Sequence, residues 1–269
     1  LNLPSAALRF ETPVTLFPNF ERRAVEVTVS ALLDDVSGQL SLDLPEGWTA
    51  KPEAYEVATV RAGGSRSYSF EVTPRPVAEQ APIAARLVTA SGSFTRSVAK
   101  IEYEHIPEQT VFAPAATRAV SLEVARSGRR VGYLAGAGDD VPASIREIGY
   151  EVVELSPEGF SKAALEGVDT VVVGIRAYNT VENIAAIMED LFLFAEKGGT
   201  VIVQYNTHRG LKTDTFAPYP LTISRDRVTD ETAEVRVIAP EHPVMNTPNR
   251  ISASDFESWT QERGLYFPS

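Results

Sequence analysis

Three short stretches of this 269-residue sequence concentrate the side chains able to hold or transform a polar ligand. Arg176-Ala177-Tyr178-Asn179-Thr180 supplies a guanidinium, a phenol and an amide, and Gln204-Tyr205-Asn206-Thr207-His208 supplies two amides, a phenol and an imidazole. Gly136-Ala137-Gly138-Asp139-Asp140 sets two carboxylates at the end of a glycine-rich turn. Brought to one edge, Asp139, Asp140, Arg176, Tyr178, Asn179, Gln204, Asn206 and His208 form a cleft suited to gripping a polar or sugar-type ligand without covalent chemistry. The competing reading is a structural network, in which Arg176 pairs with Asp139 or Asp140 and the amides satisfy loop backbone.

Several chemistries are excluded or disfavoured by residue type. With no Cys anywhere, thiolate nucleophiles, disulfides and thiolate zinc sites are absent. Hydrolases that transfer acyl groups place a nucleophile at a sharp strand-to-helix elbow, and the corresponding strand end here reads Val203-Gln204-Tyr205-Asn206-Thr207, without Ser or Cys. The glycine-rich turn lacks the third glycine of a dinucleotide fingerprint and puts carboxylates where pyrophosphate would rest, so Asp139 or Asp140 is read as a helix cap. His105, His208 and His242 are far apart in sequence, and a metal held by His208 with Asp139 and Asp140 would need ligands converging from separate loops. No catalytic residue and no metal is therefore expected. A stand-alone hydrolase using Asp139 or Asp140 as general base with Arg176 or His208 as electrophile is the rival, and a purely structural interaction module is the third reading.

The balance of charge bears on partners. A net charge of −11 repels nucleic-acid backbones and anionic membrane surfaces, and no apolar run approaches the ~20 residues that span a bilayer.

The elements that must position these groups change character along the chain. Up to residue 104, short runs alternate with period two between turn residues: Val25, Val27, Val29 and Ala31; Leu40, Leu42 and Leu44; Tyr68, Phe70 and Val72. About seven such strands predict an all-β immunoglobulin-like sandwich over 1–104. Trp48, just after Pro45-Glu46-Gly47, is read either as a core aromatic or as a sugar-stacking platform. Residues 105–128, rich in Pro, Ala, Thr and Gln, are read as a linker, with an extra strand at 119–125 as an option. From 129 to 269, apolar runs at 130–135, 152–155, 170–175 and 200–205 alternate with helical patterns at 141–148, 161–166 and 181–196. A further strand at 233–238 and a last helix near 254–262 follow. This grammar predicts a flavodoxin-like, doubly wound parallel sheet that binds ligands beyond its strand ends.

The strings in this second half also resemble a known family. Those at 132–142, 174–180, 203–207, 218–221, 224–229 and 261–268, with His242-Pro243 and Trp259, are similar to the C-terminal region of bacterial PIG-L (LmbE-like) deacetylase proteins. The resemblance implies an amidotransferase-like, ThuA-like domain that normally continues past Ser269. Leu44-Pro45-Glu46-Gly47-Trp48 is similar to a turn of the NPCBM-associated sandwiches found beside glycosidases. Family members hydrolyse N-acetyl groups on sugars with zinc held by a His-Pro-Asp-Asp motif, which this chain lacks. The resemblance thus implies an accessory region whose zinc lies in a catalytic domain upstream. It further implies carbohydrate or that catalytic domain as partner, and a periplasmic or extracellular location.

Overall fold

A computed structural model describes residues 4–257, 259–260 and 264–268 of the chain, which forms two compact units, Leu1–Val124 and Ala125–Ser269. None of the helices in the described residues is long and apolar enough to cross a membrane.

Twelve strands lie among the described residues of the first unit. They are β1 (Ala6–Phe10), β2 (Val14–Pro18), β3 (Arg23–Ala31), β4 (Val36–Asp43), β5 (Thr49–Lys51), β6 (Ala54–Val60), β7 (Ser65–Thr73), β8 (Glu79–Thr89), β9 (Gly92–Phe94), β10 (Arg96–Tyr103), β11 (Ile106–Pro114) and β12 (Ala116–Leu122). One sheet runs β1-β3-β7-β5 and a second β2-β12-β8-β4-β6, with β9 added to β8 and β10-β11 as a separate ribbon. The period-two pattern turns Val25, Val27 and Val29 of β3 inward, where Val25 and Val27 pair across from Phe70 and Tyr68 of β7. They meet Phe17, Leu40, Ile83 and Leu87 of the other sheet in one core. Each such side chain contributes roughly 1.5–3 kcal/mol by leaving water.

Two expectations change here. Seven strands undercount the unit, and β12 runs parallel to β2, a pairing that an immunoglobulin-like reading did not include. Residues 105–128, read as a linker, carry β11 and β12, and β12 lies inside the second sheet. Trp48 is a core residue, because its ring is buried edge-on against Phe17 at 4.9 Å and its Nε1 donates to Glu79 Oε1 at 2.7 Å. No face is left for a sugar.

The second unit is built on four parallel strands, β13 (Arg130–Leu134), β14 (Glu151–Leu155), β15 (Thr170–Val173) and β16 (Thr200–Val203), in the order β14-β13-β15-β16. The helices are α1 (Val141–Glu147), the single turn α2 (Ala177–Thr180) and α3 (Ile184–Glu196). Helix α3 is amphipathic, and Ile184, Ile187, Met188 and Leu191 bury one stripe against Val171 and Val173 of β15. A two-stranded ribbon, β17 (Arg227–Val228) with β18 (Gly264–Leu265), follows.

The flavodoxin-like, doubly wound domain expected from the sequence is not what this chain forms. The chain is mostly β, 41% strand against 13% helix, with only three α-helices among the described residues. Helix α1 has seven residues and none is buried, and the pattern at 161–166 makes a 3-10 turn, Lys162–Leu165. The strand expected at 233–238 is irregular and exposed, with Ile238 at 96% exposure. The expected helix near 254–262 contains one 3-10 turn, Ala253–Phe256, and its residues 258, 261 and 262 lie outside the described residues. The physical reason is that 206–260 carries turn residues and little apolar surface, so it cannot build covering helices. The amidotransferase-like, ThuA-like expectation fails with the layers it required.

Candidate functional site

The turn after β13 and the turn after β15 are bound directly to each other. Ala137 N–H donates to Ile175 O at 2.8 Å, and Gly174 N–H donates to Leu134 O at 2.8 Å. Gly136 makes this approach possible, since a Cβ there would overlap the Ile175 carbonyl and lie 2.8 Å from Ala177 N. Asp139 locks the same junction: Oδ1 accepts from Tyr133 OH at 2.6 Å and from Val141 N–H at 3.0 Å, and Oδ2 accepts from Ile175 N–H at 3.3 Å. Burial works to raise the Asp139 pKa, yet these three donors outweigh it and hold the carboxyl below its ordinary value. Burial, then Asp139, pushes the Tyr133 phenol up. A carboxylate saturated in this way is a structural acceptor, not a base poised near neutrality. The space between the turns after β13 and β15 is therefore closed by main chain, and Asp139 is not open to the crevice expected beyond β15 and β16.

The polar residues past β15 and β16 do meet, and they bind mainly one another. Asn206, buried, accepts from Tyr178 N–H at 3.0 Å and donates to Gln204 O at 2.8 Å. Asn179 Nδ2 donates to Thr207 O at 3.1 Å and Arg209 O at 2.9 Å, while its Oδ1 accepts from Thr207 N–H at 3.0 Å. Tyr178 is buried, its hydroxyl donates to Phe216 O at 2.9 Å, and burial raises its pKa. Asn179, Asn206 and Tyr178 are thus committed to the backbone of the loops that carry them.

Arg176 is different. It sits at φ +57°, in the left-handed region, ahead of α2, with its N–H donating to Tyr205 O at 2.7 Å and its side chain exposed. Among the described residues it makes no ion pair with Asp139 or with the exposed Asp140, so the pairing weighed from the sequence does not form. Asp140 precedes α1 as its cap residue without a side-chain capping bond.

What remains open lies on the β16 side of the unit. A groove of about 590 Å³ runs along β16, walled by Phe192, Val201, Val203, Phe216, Tyr219 and Phe267. Gln204, Tyr205, Asn206 and Tyr266 add the polar groups. Tyr219 is 64% exposed, so its ring face meets solvent. Gln204 Oε1 is shielded from solvent and has no hydrogen-bond partner. Tyr205 and Tyr266 stack at 5.9 Å, and the His208 ring lies 4.7 Å from Tyr266. Both His208 nitrogens are also shielded and without partners. Burial, followed by Arg225, Arg209 and Arg227, lowers the His208 pKa, which favours the neutral imidazole. Burial and Tyr266 raise Tyr205, against the opposing pull of Arg176.

The donor set around His208 does not fit zinc. Among the described residues no three His, Asp or Glu side chains gather, and the charges nearest the imidazole are arginines, which repel a cation. Residue 242 is a turn histidine whose Nδ1 accepts from Val244 N–H at 3.2 Å.

Sequence reasoning missed Tyr219, Phe216 and Tyr266 as groove walls and Arg209, Arg225 and Arg227 as its charged neighbours. The one available signal was the pair Arg225 and Arg227, two apart on the way into a strand, a spacing that favours a common face.

Comparison with known proteins adds little to this geometry. No family model matches the chain. No curated protein matches it either. Among solved structures, the chain is similar to a family 123 glycoside hydrolase from Clostridium perfringens, from a structural analysis of glycolipid glycan hydrolysis. The identity is 6%, with 66% of this chain and 40% of that chain covered and a TM-score of 0.27. It is also similar to a protein of unknown function from Porphyromonas gingivalis W83, at 12% identity, 48% and 60% coverage and a TM-score of 0.25. The chain spans less than two thirds of either, and at these scores neither likeness carries an argument about fold or function.

Proposed function

We propose that the second unit is a non-catalytic carbohydrate-holding module of a carbohydrate-processing protein, with the groove along β16 as its binding site. The observation that carries this reading is the pairing of open aromatic faces with a shielded acceptor that has no partner. A pyranose presents an apolar face that packs on a ring such as Tyr219, while its hydroxyls can donate to Gln204 Oε1 once that side chain turns into the groove. The strings shared with the C-terminal region of PIG-L deacetylase proteins support an accessory role in the same direction. Asp139, the best placed carboxylate for a hydrolytic role, is spent on the junction between the β13 and β15 turns.

Calorimetric titration of the full chain with a panel of neutral and charged oligosaccharides tests the proposal. Binding that weakens by about tenfold in Tyr219→Ala, consistent with loss of one stacking contact, is the expected result. Absence of binding across the panel, or binding indifferent to Tyr219→Ala and to Gln204→Leu, refutes it.

A further inference from the structure

Four arginines come near the rings of Tyr205, which lines the groove, and of His208 beside it. Arg176 is tied through its N–H to Tyr205 O, Tyr205 stacks on Tyr266, and Tyr266 packs on His208, which Arg209 follows directly. Tyr266 N–H donates to Asp226 O at 2.8 Å, so Arg225 and Arg227 flank the same aromatic group. Some arginines elsewhere are paired, Arg75 with Glu79, Arg86 with Asp43, Arg130 with Glu151 and Arg146 with Glu154, and others stand singly at the surface. Among the described residues, Arg176, Arg209, Arg225 and Arg227 have no such partner. Asp226 is the one acid in that segment and offsets a single charge. In a chain of net charge −11, four exposed guanidinium groups gathered around one aromatic group make a local positive field that attracts an anion.

We propose that this end of the groove is an anion subsite, and that the saccharide it takes is acidic, bearing a carboxylate or a sulfate. The inference rests on the saccharide reading above and gives it a substrate class. Guanidinium groups bind both anions through paired N–H donors. The aromatic wall would then hold the ring while the arginines select its charged substituent.

The test compares four probes on the full chain at low salt: a neutral oligosaccharide, a uronate-containing one, a sulfated one, and inorganic sulfate. An acidic oligosaccharide binding about tenfold or more tighter than the neutral one is expected, as two or three partly exposed charge pairs supply. The preference should collapse in 0.5 M salt, near ~4 Å of screening length, and vanish in Arg225→Gln/Arg227→Gln. Uronate and sulfate arms identify which substituent is read. Equal affinity for neutral and acidic sugars, or a preference untouched by the double variant, overturns the subsite while leaving the saccharide reading standing. Binding of inorganic sulfate that the double variant removes, with no binding of any sugar, keeps the anion subsite and sinks the saccharide. Silence from all four probes overturns both.

Discussion

Replacing Asn206 by Ala removes the acceptor of the Tyr178 amide and the donor to Gln204 O in a single step. The Tyr178 N–H is left buried without a partner, a cost of about 1–3 kcal/mol, and the lost bond to Gln204 O adds about 1 kcal/mol. The expected loss is therefore roughly 2–4 kcal/mol, all of it from the second unit. Urea unfolding followed by far-UV circular dichroism reads this as a midpoint lowered by about 1–2 M for a typical dependence on denaturant. Amide exchange at Tyr178 should lose its protection in the same variant. The reasoning assigns Asn206 to the scaffold, not to the ligand. It is refuted if the midpoint moves by less than about 0.3 M while saccharide affinity falls tenfold, since that combination belongs to a contact residue.

Trp48→Ala should cost about 3–5 kcal/mol, because it opens a cavity beside Phe17 and strips Glu79 of one donor; thermal unfolding checks it. Glu79, held by Arg75 first and Trp48 second, is lowered from 4.5 to about 2. Its stabilisation should be complete above pH 4.5 and fade as pH falls toward 2, so the denaturant midpoints of wild type and Glu79→Gln should converge over that range. His208 has the same sign of linkage in a higher pH window. Its folded pKa lies below the ordinary 6.5, so the unfolded chain takes up its proton first, and stability should decline as pH drops below 6.5. An imidazole titration by NMR with a midpoint above 6.5 would contradict this. Gly136→Ala should destabilise the second unit by about 2–3 kcal/mol, as the new methyl meets main chain that cannot yield, and an unchanged melting temperature would count against the closed junction.

The legible parts of the chain were those with one strong period. Val25, Val27 and Val29 alternate against a dry core, and Val171, Val172 and Val173 form a short apolar run bounded by turns, so β3 and β15 are readable from residue types alone. β12 was legible only in part, as the optional strand at 119–125, for a physical reason: its inward positions are Thr117, Ala119 and Ser121, all buried, and hydropathy does not mark them. Two of them compensate through hydrogen bonds, Thr117 with Thr15 at 3.1 Å and Ser121 to Val77 O at 2.7 Å. At 233–238 the error ran the other way. Ala233, Val235 and Val237 alternate as a strand would, yet among the described residues no strand pairs with them. The meeting of the loops after β15 and β16 followed from parallel order, but the use of their amides did not. Whether Asn179 and Asn206 face a ligand or a backbone N–H depends on loop geometry that spacing does not encode. The arginine cluster depends on residues nearly ninety positions from Arg176, carried by a segment without any period.

The left-handed backbone at Arg176 sets two selective pressures against each other. An L-residue with a side chain pays about 1–2 kcal/mol in that conformation, and glycine would be relieved of most of it. A glycine there would also delete one of the four guanidinium groups gathered near Tyr205 and His208. Under the anion-subsite proposal, drift toward robustness and retention of recognition pull this single codon in opposite directions.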